Sequence, residues 1–199
     1  MPPARRKLLS APERSASVLA AAARVFAAGG YARTSIDDIA AEAGITKLIV
    51  YRHFASKQAL YRAVIDQIAG KLGAVERAPV NGTTYEDLLA GVTRTLADTM
   101  RVARQAPDAF RLLIRDAQHE PEFADYAKEI LARSVPISAQ ALAGIADPAI
   151  RRWTAEVIAT TVDNAMLRWL ELAPADRDDE MAPILARMLA GIGGAALRP

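Results

Sequence analysis

The sequence predicts an all-α protein built from a three-helix N-terminal domain and a larger C-terminal helical bundle. Apolar residues recur at helical spacing along most of the 199 residues, and we find no clear alternating apolar–polar run bounded by hairpin turns. Glycines and prolines divide the chain into segments of ordinary helix length. With 52% apolar and 24% charged residues, the chain can bury a sizeable core and does not belong to the disordered class.

The first third of the chain alternates between residues suited to beginning a helix and residues suited to ending one. Ser35, Thr46 and Ser56 are candidate N-caps, while Gly29-Gly30 and Gly44 are candidate helix ends. The predicted elements are a mobile basic arm over 1–12, helices over 13–28, 36–43, 47–53 and 57–75, and a turn or linker over 78–82.

Prolines supply most of the boundaries in the remainder of the chain. Pro107, Pro121 and Pro148 each precede an apolar-periodic segment, and Pro136 is a candidate break inside one of them. The predicted helices cover 84–105, 107–118, 121–145, 148–172 and 177–196.

The pair of short helices on either side of Gly44 predicts a helix-turn-helix. Ile36, Ile39 and Ala40 form an apolar stripe on the first helix, and Gly44 suits a tight turn that requires a positive φ. Val50 is expected to bury the second helix against the first. In a helix-turn-helix the second helix enters the DNA major groove.

The charge distribution predicts that the first third of the chain, which contains the helix-turn-helix, binds a polyanion. Residues 1–62 hold ten Lys and Arg against four Asp and Glu, whereas residues 63–199 hold fifteen against nineteen. On and beside the second helix, hydroxyl, ammonium, phenol and guanidinium groups suit phosphates and base edges. The candidates for DNA contact are Thr46, Lys47, Ile49, Tyr51, Arg52, His53 and Lys57.

The segment from Val25 to Val64 resembles the DNA-binding domain of TetR-family transcriptional regulators. The residues that carry this resemblance are Phe26, Gly30-Tyr31, Thr34-Ser35, Ile39-Ala40, Ala43-Gly44-Ile45, Tyr51-Arg52-His53-Phe54, Ser56-Lys57 and Leu60. Many family members carry a small Gly-Thr or Pro-Ser pair where this chain has Leu48-Ile49, so base specificity does not transfer.

The resemblance implies a homodimeric and usually repressing regulator that binds a pseudo-palindromic, double-stranded operator. It further implies that a small-molecule effector bound in the larger domain releases the DNA. Carried over by position, Thr46, Lys47 and Ile49 face bases or nearby backbone. Ser35, Tyr51, His53 and Lys57 contact phosphates. The expected domains are the arm over 1–12, the DNA-binding domain over 13–57 and the ligand-binding and dimerisation domain over 58–199.

The larger domain contains aromatic side chains beside polar ones, as small-molecule sites do, although aromatic residues at helical spacing also build ordinary cores. An apolar or amphipathic effector is therefore expected. The candidate ligand residues are Phe110, Asp116, His119, Phe123, Tyr126, Trp153, Asn164 and Trp169. The last two helices have wide apolar faces suited to a twofold partner, and the candidate dimer residues are Val157, Thr161, Ile184, Leu185 and Met188.

The absence of cysteine excludes disulfides, cysteine-ligated metals and a cysteine nucleophile, and it fits a reducing cytoplasm. His53 and His119 are too few for a three-histidine centre, so neither a metal nor another cofactor is expected. No uncharged apolar run reaches the ~18 residues of a membrane span, and Arg24 interrupts the apolar stretch that could mimic a secretory signal.

Two other classes of function compete with a ligand-responsive repressor. A constitutive DNA-binding or scaffold protein without a ligand is poorly separated from it by sequence. An enzyme built on a helical bundle is disfavoured, because the chain lacks paired Glu-x-x-His motifs, a nucleophile elbow and a glycine-rich phosphate loop.

Overall fold

A computed structural model of the protein describes residues 10–76 and 84–196. Most of these residues are in helices and none is in a strand, which confirms the all-α prediction. The predicted linker over 78–82 and most of the predicted arm lie outside the described residues. The helices are α1 (Ala11–Gly29), α2 (Ile36–Ala43), α3 (Lys47–His53), α4 (Lys57–Glu76), α5 (Tyr85–Gln105), α6 (Pro107–Arg111), α7 (Ala124–Leu131), α8 (Val135–Ala141), α9 (Pro148–Leu172) and α10 (Asp178–Ala196).

The chain divides into two compact units between Asp66 and Gln67, so that α4 contributes residues to both. In the described parts of the chain, no helix is both long enough and apolar enough to cross a bilayer.

Helix α1 begins two residues earlier than predicted because Ser10 caps it. The Ser10 hydroxyl accepts a hydrogen bond from the Glu13 backbone N–H, and the Glu13 carboxylate accepts one from the Ser10 backbone N–H at 2.7 Å. This reciprocal pair satisfies two N–H groups that a helix start otherwise leaves without partners. Pro12 suits the first turn, where its missing N–H costs nothing.

Three aromatic rings join α1, the loop after it and α4 in the first unit. Tyr61 packs edge-on against Phe26, with ring centroids 4.9 Å apart, and against Tyr31 at 5.1 Å. Phe26 and Tyr61 are almost completely buried. Edge-to-face packing of this kind adds about 0.5–1.5 kcal/mol per pair to simple burial. The trio therefore holds the first part of α4 against the helix that precedes the helix-turn-helix.

In the second unit, α10 packs against α5 and α9, and α8 packs against α9. A half-buried polar cluster joins three of these helices. Arg104 donates from Nε and Nη2 to both carboxylate oxygens of Asp178, at 3.0 and 2.8 Å, and also to the carbonyl of Ala173. The Trp169 indole N–H donates to the same carboxylate at 2.8 Å. These donors, led by Arg104, lower the pKa of Asp178.

Two predicted helices of the second unit are interrupted. The 107–118 segment is α-helical only to Arg111, after which Leu112–Asp116 forms a π-helical turn and Ala117–His119 a 3₁₀ turn. The 121–145 segment breaks into α7 and α8 just before Pro136, which occupies the first turn of α8. A proline provides no N–H for a helix already under way, but it fits the first turn of a new helix, where that N–H has no helical partner.

Asp163 is a partly buried carboxyl on α9, next to a second acid in the same unit. Burial chiefly, together with repulsion from Glu76 at the end of α4, raises the pKa of Asp163 to about 7. The unfolded chain ionises this group near its ordinary value of 3.8. Between these pH values the folded protein holds a proton that the unfolded chain has lost, so raising the pH destabilises the fold.

We predict that Asp163→Asn flattens the dependence of stability on pH. Wild-type protein should lose unfolding free energy relative to this variant as the pH rises from about 4 to 8, by roughly 1–4 kcal/mol. Urea denaturation at several pH values measures the difference. Asp179→Asn, which removes an exposed carboxyl of the same unit, is the control. Parallel profiles for wild type and Asp163→Asn would contradict the assignment.

Candidate nucleic-acid interface

The turn between α2 and α3 has the geometry that its sequence predicts. Gly44 adopts a left-handed conformation with φ 65° and ψ 33°, which glycine reaches without a steric penalty. The Ile45 N–H donates to the Ala40 carbonyl at 3.0 Å, closing the end of α2. The chain therefore reverses within three residues, and α3 begins at Lys47.

Ser35 caps α2 as predicted, and Thr46 precedes α3 without making a cap bond. The Ser35 hydroxyl accepts from the Asp38 N–H at 3.1 Å and lies 2.6 Å from the Asp38 carboxylate, to which it donates. The hydrogen bonds that the Ser35 hydroxyl and the Ser35 backbone N–H donate to the Asp38 carboxylate lower the pKa of Asp38. Thr46 is exposed and makes no side-chain cap bond to α3. Of these two predicted DNA contacts, Thr46 is exposed, whereas the Ser35 hydroxyl is engaged at the start of α2.

One buried side chain defines the outer face of α3. Val50 is completely buried, whereas Leu48 and Arg52 lie on the opposite side of the helix at 100° per residue and are exposed. Tyr51 is 45% exposed beside them. Of the other predicted contacts, Lys47 is exposed, and Ile49 and His53 are half-buried.

The exposed fraction of Leu48 is 66%, larger than that of its neighbour Ile49. Sequence reasoning included Ile49 among the DNA contacts and left out Leu48. A helical wheel centred on Val50 carries the signal that was missed, because it places Leu48 near the middle of the outer face.

Lys47 forms an ion pair with α2. Its ammonium nitrogen lies 2.7 Å from a carboxylate oxygen of Asp37, and both side chains are largely exposed. The hydrogen bond to Asp37 raises the pKa of Lys47. Because solvent screens such a pair, DNA phosphates can compete for the same ammonium.

Lys57 points into its own unit. The ammonium donates to the carbonyls of Tyr31 and Thr34, at 2.9 and 3.0 Å, and to that of Ala32 at 3.4 Å. It also lies 4.4 Å from the centre of the Tyr31 ring, close enough for a cation–π contact. An ammonium has three N–H donors, so these carbonyls account for all of them. Lys57 thus clamps the loop between α1 and α2 to the start of α4.

The predicted ligand residues of the second unit differ in burial and in bonding partners. Phe110 and Phe123 are fully buried core residues, whereas His119 is exposed with Nδ1 2.7 Å from the Arg115 carbonyl oxygen. Asp116 is paired with Arg115 at 3.0 Å. Tyr126 is half-buried, and Trp169 donates to Asp178 as described above.

The other two predicted ligand residues, Trp153 and Asn164, lie along the outer face of α9. Trp153 is 65% exposed. Both line an open depression shared with Val157 and Thr161, two predicted dimer residues. The sequence-based prediction divides these four residues between a ligand site and a dimer interface. Helix α9 places all four on one surface.

Helix α10 divides its predicted dimer residues between two faces. Ile184 and Met188 are exposed by 47% and 58%, whereas Leu185 is 3% exposed and belongs to the core of its own protomer. We group the α9 residues Trp153, Val157, Thr161 and Asn164 with the exposed α10 residues Ile184 and Met188, and call this set the α9–α10 face below.

Comparison with known proteins identifies the first unit. The family model of bacterial regulatory proteins of the TetR family matches residues 18–64. The transcriptional repressor Rv3405c of Mycobacterium tuberculosis is 44% identical over 94 residues, which cover 47% of this chain and 50% of the relative. The transcriptional activator FasR of Mycolicibacterium smegmatis is 39% identical over 72 residues, which cover 36% of this chain and 33% of that protein. The chain thus spans between a third and a half of these curated relatives.

A solved structure extends the likeness to both units. The crystal structure of a TetR-like transcriptional regulator from Rhodococcus sp. RHA1 matches with a TM-score of 0.73 and 22% identity, covering 92% of this chain and all of that one. This similarity establishes the fold. The matching proteins are transcriptional regulators and not enzymes. Residues 18–64 are therefore similar to the DNA-binding segment of the TetR family of bacterial transcriptional regulators.

Proposed function

We propose that the protein is a dimeric, ligand-responsive transcriptional regulator that binds a pseudo-palindromic operator and acts as a repressor. The outer face of α3 carries this proposal. It lies in the segment that matches the regulatory family, and it exposes Leu48, Tyr51 and Arg52 on the side away from Val50. A helix-turn-helix presents the corresponding face of its second helix to base edges in the major groove. The sign of regulation follows the repressor Rv3405c, which matches over more residues and at higher identity than the activator FasR.

The α9–α10 face is our candidate for the dimer interface. Ile184, Met188 and Trp153 are large apolar side chains exposed by 47%, 58% and 65%, and a contiguous apolar patch marks an interaction surface. A twofold axis through this face would cover them in both protomers. Two recognition helices could then read half-sites one DNA turn apart, about 34 Å centre to centre.

We expect the effector to bind in the second unit and to be an apolar or amphipathic molecule. Regulation by small molecules is typical of the family. An effector that lowers DNA affinity tenfold must prefer the DNA-free arrangement by about 1.4 kcal/mol, and DNA must weaken effector binding by the same factor. A constitutive DNA-binding protein is the competing function. Displacement of a specific duplex by a small molecule distinguishes the two.

We predict sequence-specific and strongly salt-dependent DNA binding. A duplex selected from a random library should show two related half-sites. If the dimer contacts 6–10 phosphates, its affinity should fall by about 10³–10⁵ between 50 and 200 mM salt. Fluorescence anisotropy with the selected duplex measures both properties. Equal affinity for the selected and a scrambled duplex would overturn the proposed function.

Lys57→Met should weaken DNA binding by loosening the clamp on the α1–α2 loop. The variant leaves the carbonyls of Tyr31 and Thr34 without their shared donor, so we expect the free energy of unfolding to fall by about 1–3 kcal/mol. Because the clamp contacts no phosphate, the slope of log affinity against log salt should stay unchanged.

Arg52→Met is the comparison for Lys57→Met. Arg52 is exposed on the outer face of α3, so its loss should reduce the salt slope while stability is retained. Urea denaturation and salt titration measure the two quantities. A reduced slope with unchanged stability for Lys57→Met would instead make Lys57 a direct phosphate contact.

Ile184→Glu and Met188→Glu should convert the dimer to monomers, because each places an unpaired charge in the proposed interface. Light scattering at micromolar concentration measures the mass. Ile137→Glu is the matched control, since Ile137 is 41% exposed on α8, outside the α9–α10 face. A monomeric unmutated protein, or dimers of all three variants, would contradict this interface.

A further inference from the structure

The first unit carries an apolar patch on its proposed DNA-binding helix. Among the described residues of this unit, the large apolar or aromatic side chains that are exposed are Leu48, at 66%, and Tyr51, at 45%. Both belong to α3 and are three residues apart, so they are neighbours on one helical face. Tyr51 carries a hydroxyl that can meet a phosphate or a base, whereas Leu48 offers nothing but methyl and methylene groups.

Leu48 occupies the position from which base edges are read. It is the second residue of α3, and the N-terminal residues of a recognition helix contact the bases. Val50 fixes the rotation of the helix by its burial, so the Leu48 side chain points away from the unit. The flanking Lys47 ammonium is held to one side by Asp37 at 2.7 Å. A branched aliphatic group therefore lies near the middle of the outer face.

The major groove contains one apolar partner for such a side chain in unmodified DNA. This is the C5 methyl group of thymine, which projects from the base edge and is contacted by apolar side chains. The surrounding cations, Lys47 and Arg52, suit the phosphates on either side. A base edge that offers only hydrogen-bonding groups to Leu48 would lose its water without gaining a partner, so the same side chain also disfavours guanine, cytosine and adenine there.

We propose that Leu48 is a specificity-determining residue that selects thymine, through its methyl group, at one position of each operator half-site. This inference rests on the proposed DNA-binding function and names the base chemistry that α3 recognises. Removing one buried methyl group should weaken binding about fourfold, the equivalent of ~0.8 kcal/mol. With two half-sites in a dimer, removal of both methyl groups should weaken binding about fifteenfold.

Uracil replaces thymine without changing any hydrogen-bonding group, so it isolates the methyl group. The experiment takes the duplex selected from a random library and replaces its thymines one position at a time, in both half-sites, with uracil. For wild-type protein we expect one position at which uracil weakens binding about fifteenfold. For Leu48→Ala we expect weaker binding overall and equal affinity for thymine and uracil at that position.

The control is Leu88→Ala, which shortens an exposed leucine of α5, 46% exposed and outside α3. It should retain the wild-type preference for thymine over uracil. Thermal unfolding of Leu48→Ala should match wild type, since an exposed side chain contributes little to the core. A wild-type protein indifferent to uracil at every position, or a Leu48→Ala variant with the wild-type preference, overturns this inference and leaves the proposed function intact. Failure to bind any duplex selectively overturns both.

Discussion

The burial of Val50 is the constraint on which the candidate interface depends. A seven-residue helix has too few internal hydrogen bonds to hold its own orientation, so packing must set it. Val50 is the one residue of α3 that is completely buried. The left-handed turn at Gly44 brings α3 back against α2. Once that side chain is buried, helix geometry decides which residues point outward.

The cations of the first unit divide between structure and recognition. Lys57 is committed to three backbone carbonyls and to the Tyr31 ring, and that ring packs in turn on Tyr61. Lys47 is paired with Asp37 at the surface, where solvent keeps the pair weak and exchangeable. Arg52 is exposed on the outer face of α3. A net positive charge thus steers a polyanion toward this unit, but individual cations contribute in different ways.

Besides its core, the second unit has exposed apolar residues on α10 and a carboxyl, that of Asp163, whose pKa is raised. Leu185 and its neighbours on one side of α10 face the core, which leaves Ile184 and Met188 on the other side. By contrast, the surroundings of Asp163 disfavour its ionised form, since both burial and the charge of Glu76 favour the protonated carboxyl. The folded protein therefore carries Asp163 at a cost in stability above the ordinary pKa of this carboxyl.

The sequence by itself determined the helical class, the turn at Gly44, the Ser35 cap and the similarity of residues 18–64 to the TetR family, because caps, glycines and apolar periodicity act over a few neighbouring residues. It did not determine the break of α6 into a π-helical turn, nor which aromatic residues of the second unit are core. Tertiary structure alone placed Lys57 on the carbonyls of residues 31–34, and buried Phe110 and Phe123 while it left Trp153 exposed. Each of these outcomes depends on which face of a helix is buried, and that is settled by packing between residues far apart in the chain.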